Sequence, residues 1–303
     1  MKEFVFGLAD HIYDKVSKVF GRREFRRVSG YSVAGDAQFD IDEVAENAVR
    51  EFAKGHGRSI ALFTEDEGLI KIGEAPEYVL IVDPIDGTRS AAAGLENCCI
   101  SIAAAKYTAT PRIGDVEYAI LKELKGGAYI YGDRDHEELL YDGFHSPLPN
   151  LSAVTDLEHM FWSIEFNGHP ADLMISAYGH LIDKSANPGG IFVFSSACYS
   201  ISRIITGQLD AYVDIGNRLL KDKPELLPRF LEAGHGHVLH LFPYDIAAAV
   251  FLAEKAGLII TDAYGNSLSE TLLLDTSSEN QQSCIAASTR NLHEKLLTNI
   301  KWS

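Results

Sequence analysis

Phe4, Leu8, Ile12, Val16 and Val19 recur at the spacing of one helix face, which predicts an amphipathic helix over residues 2–20 closed by Gly21. The same period returns at Ile41, Val44, Ala48 and Phe52, predicting a second helix over 41–54 with Asp40 or Asp42 as its cap. Two short apolar runs, 60–63 and 78–82, read instead as buried strands. The first runs straight into Thr64-Glu65-Asp66-Glu67-Gly68, the second into Asp83-Pro84-Ile85-Asp86-Gly87-Thr88. Neighbouring strands that both finish in acids can bring those acids together at one edge of a sheet. Strand patterns follow at 98–107, 116–121, 127–132 and 138–142, joined by Gly- and Asp-containing turns.

His145-Ser146-Pro147-Leu148-Pro149-Asn150 reads as a linker. Beyond it strands and helices alternate: strand 160–166, helix 170–183, strand 191–194, helix 196–206 and strand 209–214. An irregular region follows, then helix 244–256, ended by Gly257, and strand 258–261. The pattern divides the chain into an N-terminal α+β part, residues 1–150, and a C-terminal α/β part, residues 151–303.

Composition narrows the function classes. Lys and Arg total 27 against 43 Asp and Glu, a net charge of −16, and such a surface repels nucleic acid and anionic membranes. A phosphate site on this background needs metal cations and backbone amides to provide positive field. The opening stretch MKEFVFGLADHIYDKV carries acids inside its apolar run, so it does not read as a signal peptide. No apolar run approaches the ~20 residues of a membrane span. Cys98, Cys99, Cys198 and Cys284 form no CxxC pair and read as small buried thiols. A cytoplasmic protein is expected.

The chemistry concentrates in Asp83-Pro84-Ile85-Asp86-Gly87-Thr88. Pro84 removes a backbone donor and is expected to stop the strand. Asp83 and Asp86 can then turn toward a common point, and Gly87 permits tight turning and close approach of backbone to ligand. If Gly87 and Thr88 open a helix, their amides form an anion site. The same residues also suit an ordinary turn. Glu65, Asp66 and Glu67 repel one another, which bound hard cations would relieve; a solvated loop is the alternative. Asp245 stands before an Ala-rich apolar run, the place of a helix cap, and a cap can also point its carboxylate into a metal site.

These three segments, in this order, resemble the inositol monophosphatase superfamily, which includes archaeal-type fructose-1,6-bisphosphatases. Its pattern is an acidic pair after a strand, then Asp-Pro-Ile/Leu-Asp-Gly-Thr, then Trp-Asp-x-Ala-Ala. Here they read Glu65-Asp66, Asp83 to Thr88, and Tyr244-Asp245-Ile246-Ala247-Ala248, while Asp36 and Asp42 resemble an earlier Asp-x-x-Thr-x-x-Asp element. The resemblance implies a layered αβαβα sandwich with the site in the cleft between its two parts, and a magnesium-dependent phosphomonoesterase acting on a small polyol or sugar phosphate by direct attack of a metal-activated water. It implies that Glu65, Asp83 and the Ile85 carbonyl hold a first Mg2+, that Asp83, Asp86 and Asp245 hold a second, and that Glu65 shares a third. Asp42 would hydrogen-bond Thr88, the pair orienting the water. Gly87, Thr88 and Arg89, the turn Ser195-Ser196-Ala197 and the carboxylate of Asp214 would contact the substrate. The resemblance further implies a homodimer and inhibition by lithium.

The chain departs from that pattern in places. Tyr244 replaces the usual Trp, Asp66 replaces a Glu, Arg89-Ser90-Ala91 follows Thr88, and Phe192 stands where inositol enzymes carry Arg. Residues 216–240, with Gly234-His235-Gly236-His237 and His240, are extra; a lid, an oligomer contact or a specificity loop would account for them, and their histidines read as solvent-exposed rather than as a metal site. Haloacid-dehalogenase-like phosphatases need Asp-x-Asp-Gly-Thr, but two residues separate Asp83 from Asp86. A non-catalytic member would show a broken metal set, whereas Glu65, Asp83, Asp86, Thr88 and Asp245 are all present. Inositol phosphate, fructose bisphosphate and nucleotide-derived phosphates all satisfy these motifs.

Overall fold

The computed structural model describes residues 1–32 and 35–302. In chain order its elements are α1 (Lys2–Val16), β1 (Val28–Tyr31), β2 (Ala37–Phe39), α2 (Asp40–Gly55), β3 (Ile60–Thr64), β4 (Gly68–Ile72), β5 (Tyr78–Asp86), α3 (Thr88–Ala93), β6 (Cys99–Lys106), β7 (Val116–Glu123), β8 (Tyr129–Asp133) and β9 (Leu140–Asp142). The chain continues with β10 (Phe161–Ile164), α4 (Ala171–Ser185), β11 (Gly190–Phe192), α5 (Ala197–Ile205), β12 (Ala211–Asp214), α6 (Gly216–Asp222), α7 (Leu227–Ala233), α8 (Pro243–Ala256), β13 (Ile259–Thr261), β14 (Cys284–Ala287) and α9 (Arg290–Asn299).

A seven-stranded sheet, ordered β4-β3-β5-β6-β7-β8-β9, comes from residues 68–72 at one edge to 140–142 at the other. A five-stranded sheet, β11-β10-β12-β14-β13, comes from the second half of the chain. Alternation along β3, β5 and β6 explains the layering. Ile60, Leu62, Leu80 and Val82 face a core shared with α1 and α2. Ala61, Phe63, Val79 and Ile81 face the opposite way, onto α5 and α8. Tyr212 and Ala286 of the five-stranded sheet close over that same middle layer, while Trp162, Val213 and Ile285 face α4 and α9. The architecture is therefore a mixed α/β sandwich of five layers, αβαβα. The middle helix α8 is buried along most of its surface at Ala247, Ala248, Ala249, Val250 and Leu252, and its alanines let two sheets approach one helix closely.

Most predicted elements appear within a few residues of their expected bounds. Three differences are instructive. Helix α1 stops at Val16, short of residue 20, because the chain turns there so that the Gly21 amide reaches the Ala91 carbonyl at 3.1 Å. The region read as irregular after Asp214 holds α6 and α7. Leu219, Leu226 and Phe230 do recur at helical spacing, but Pro224 and Pro228 break the pattern and each instead opens a helical turn. Pro84 does not stop the strand either: β5 continues to Asp86 through a bulge.

Candidate active site

That bulge decides where the acids point. Asp83 pairs with Ser101 and Asp86 with Cys99, so three steps along β5 match two along β6. In a regular strand, residues three apart face opposite sides of the sheet. One extra residue absorbed by the bulge restores the same side. Proline is tolerated in this position because a bulge leaves a backbone group without a ladder partner.

One cleft collects the predicted residues. Glu65, in the turn after β3, lines it together with Asp83, Ile85, Asp86 and Asp245. So do Gly87, Thr88 and Arg89, and Ser195, Ser196, Ala197 and Asp214. Asp36 also reaches it, whereas Asp42 and Asp66 do not. Asp42 lies behind Thr88, whose hydroxyl is 3.0 Å from Asp42 Oδ1.

Three of these acids, Asp83, Asp86 and Asp245, are held by backbone donors. Asp83 Oδ1 accepts the Ile85 N–H at 2.9 Å, and Asp245 Oδ2 accepts the Phe242 N–H at 2.7 Å from the first turn of α8. Asp86 Oδ2 accepts the N–H of Cys198 at 2.7 Å and the hydroxyl of Ser196 at 2.5 Å. A carboxylate of the first sheet thus caps α5 in the second half of the chain. Gly87 takes φ 90°, and a side chain there would meet the Asn97 carbonyl and Ser196. Ser195 adopts φ 52°, a left-handed conformation that favours glycine.

The electrostatics are those of like charges sharing a buried space. Burial pushes Asp83 well above the ordinary carboxylate range, and the charges of Asp86, Glu65 and Asp245 push it further. Burial, then Asp245, Asp36 and Asp42, raise Glu65. Burial also raises Asp245, and it raises Asp86 to about 6 against the hydrogen bonds from α5. Among the described residues, no three carboxylate, imidazole or thiol groups already close into a metal cage. The donor chemistry nevertheless fits a hard divalent cation: oxygen-only side chains, mutually repelling, with Asp83, Asp86 and Asp245 each turning one oxygen to a backbone N–H.

The structure adds wall residues that carried no signal in the motifs: Glu165 and Asn167 after β10, His169 before α4, and Leu239 and His240 at the end of the extra segment. His235 and His237 are exposed as expected, but His240 is buried, because the chain after α7 dives toward the cleft instead of staying in solvent. Its place was legible only as a histidine ahead of Leu241 and Phe242. All four cysteines are free and buried, and Cys198 Sγ packs 3.0 Å from the Asp245 carbonyl. No helix is long and apolar enough to cross a membrane.

The sequence model of the inositol monophosphatase family matches residues 1–302. A protein of Methanothermobacter thermautotrophicus named fructose-1,6-bisphosphatase/inositol-1-monophosphatase is 21% identical over 97% of this chain and 94% of its own. A bifunctional NADP phosphatase/NAD kinase of Methanocaldococcus jannaschii is 22% identical over 95% of this chain, which spans 48% of that longer protein. Among solved structures, the IMPase of Thermotoga maritima superposes with a TM-score of 0.69 at 18% identity, covering 98% of this chain and 96% of its own.

Proposed function

This chain belongs to the inositol monophosphatase family and is a phosphoric monoester hydrolase, and we propose that it is a magnesium-dependent enzyme that releases phosphate from a small polyol or sugar phosphate. The observation that carries the reading is the convergence of Glu65, Asp83, Asp86 and Asp245, from three distant segments, on one cleft beside Thr88.

Glu65, Asp83, Asp86, Asp245 and the Ile85 carbonyl are the groups that would hold the ions. Magnesium bound there would offset charge on the phosphoryl oxygens and make nearby water more acidic. The chain's own residues do the rest. Asp42 takes the hydroxyl proton of Thr88 in a hydrogen bond, which leaves the Thr88 oxygen free to accept one from the attacking water. The water oxygen forms the new P–O bond as the ester P–O bond opposite it breaks; the water gives up one proton to solvent, and the departing alkoxide takes one from it. The turn at Gly87 and Thr88, the Arg89 guanidinium and the turn Ser195-Ser196-Ala197 bind the phosphoryl group. Asp214 receives hydroxyls of the leaving group.

The test is phosphate release with and without magnesium from an inositol monophosphate, a sugar bisphosphate and a 2′-phosphorylated dinucleotide. No release from any of them would remove the proposal. A nucleotide-type substrate is the second reading, favoured by the similarity to the protein named an NADP phosphatase.

A further inference from the structure

Tyr244 stands where the family pattern carries Trp, next to Asp245 in the first turn of α8. It is 2% exposed. Its ring packs in the middle layer of the sandwich and stacks on Phe242, with centroids 5.4 Å apart and planes 17° from parallel. The hydroxyl at the end of that ring is buried and has no hydrogen-bond partner among the described residues. The residue nevertheless lines the cleft together with the clustered acids. A buried hydroxyl without a partner destabilises a fold, and phenylalanine would fill nearly the same volume without that penalty.

The acids beside it differ in one respect. Asp83, Asp86 and Asp245 each have one oxygen on a backbone N–H. Such a bond fixes the direction of a carboxylate and leaves its other oxygen for a cation. Glu65 lines the same cleft, but among the described residues no N–H or O–H donates to it. Burial and the charges of Asp245, Asp36, Asp42 and Asp66 act on it with no donor to offset them. Asp36, the other acid at the cleft near Arg89, has its donor already, since the guanidinium reaches it at 2.8 Å.

The Tyr244 hydroxyl is the donor that Glu65 lacks. Burial, and after it the charge of Glu65 ahead of those of Asp245, Asp83 and Asp36, holds the phenol in its protonated form, in which it can donate. Packing fixes the ring. Glu65 sits in the turn after β3 and is only half-buried, so its side chain is the one with room to move.

We infer that Tyr244 is a positioning residue for Glu65: its hydroxyl donates to one carboxylate oxygen when Glu65 serves as a metal ligand and leaves the other oxygen to the ion. This role rests on the metal-dependent reading above and extends it to a residue outside the proposed ligand set. It also accounts for a polar group at this place in the core, because an indole N–H and a phenol O–H both donate.

The experiment uses the full chain and Tyr244→Phe, with Mg2+ as the probe. Binding is read by titration calorimetry and by the rise in melting temperature with Mg2+, neither of which requires turnover. In chelator, Tyr244→Phe should melt at or above the temperature of the unaltered chain, because it deletes an unpaired buried hydroxyl. It should bind Mg2+ about tenfold more weakly. In a Glu65→Ala background, where binding is already weaker, adding Tyr244→Phe should bring no further loss. A Tyr244→Phe chain that binds Mg2+ as tightly as the unaltered one overturns the inference and leaves the metal-dependent reading standing. A loss that persists undiminished in the Glu65→Ala background does the same, since the hydroxyl then serves another group. A lower melting temperature in chelator also overturns it, by showing that the hydroxyl already has a partner. No Mg2+ binding by the unaltered chain removes the metal-dependent reading itself, and the role of Tyr244 with it.

Discussion

The Thr88 hydroxyl lies 3.0 Å from Asp42 Oδ1 and 3.1 Å from the carbonyl oxygen of Ile85, and it has one proton to donate between them. With Asp42 ionised the proton goes to the carboxylate, and the Ile85 carbonyl is left for another partner. Burial raises Asp42 to about 7, even though the Phe39 N–H and Thr88 stabilise its charge. In the proposed reaction this carboxylate acts through Thr88, as a positioning residue.

Thr88→Val keeps the shape and removes the hydroxyl. It should lower kcat by roughly 10²–10⁴-fold with KM within a few-fold, and Thr88→Ser should restore most of the rate. Steady-state phosphate release at saturating magnesium checks this. A valine variant near the normal rate would take the pair out of the mechanism.

Asp83 is raised by burial and by three neighbouring carboxylates. Asp83→Asn therefore relieves repulsion in the metal-free protein while removing a proposed ligand. Its melting temperature in chelator should equal or exceed that of the unaltered chain by a few degrees, on the order of 1 kcal/mol. Added magnesium should stabilise the unaltered chain strongly and the variant weakly. A variant that loses stability in chelator and still responds fully to magnesium contradicts the assignment.

Asp214 sits outside the proposed ligand set, and burial raises it from 3.8 to about 7 against one backbone hydrogen bond from Gly216. The folded state then binds a proton more tightly than the unfolded state does. Its contribution is complete below the unfolded value and is lost as pH rises to the folded one. Stability of the metal-free protein should fall between about pH 4 and pH 7, by up to about 1.4 kcal/mol per pH unit from this group. Urea titrations across that window should show a flatter slope for Asp214→Asn, and an identical slope counts against the raised value.

Ser195 holds φ 52° in the turn that precedes α5. Ser195→Gly removes the steric cost of that conformation but gains chain entropy when unfolded, for a net stabilisation of about 0.5–1 kcal/mol. A drop in the urea midpoint would show that the serine side chain makes a contact that outweighs the strain.

Gly216→Ala places a methyl group 2.4 Å from His169 Nε2, so the ring must shift. KM for the substrate should rise about threefold or more, with kcat less affected, because the ring lies 3.9 Å from Asp214 Oδ1, the carboxylate proposed to receive the substrate's hydroxyls, and not beside the clustered acids. A fall confined to kcat would place His169 in the reaction itself.

Much of the fold was legible along the chain because each segment's periodicity reflects its own burial. The runs that became β3, β5 and β6 are buried on both faces and read as continuous apolar stretches. Strands β1, β2, β4 and β14 went unread: the first three are short, partly exposed and edge-like, and β14 is four residues of a buried tail whose pairing with β12 and β13 no local pattern announces. Helix α9 escaped for a similar reason, since its polar residues outnumber the few that face the core.

By itself the sequence determined which side chains are available, in what order, and that acids end two apolar strands and open a late helix. Those facts are local, and local sterics and periodicity carry them. Only the tertiary structure decided that the bulge in β5 turns Asp83 and Asp86 to one side, that Asp86 caps α5 from another sheet, and that the segment after α7 delivers His240 into the cleft. Each of these joins residues tens of positions or more apart, and burial makes them consequential: charges that water would screen along an open chain act on one another once two sheets exclude the solvent between them.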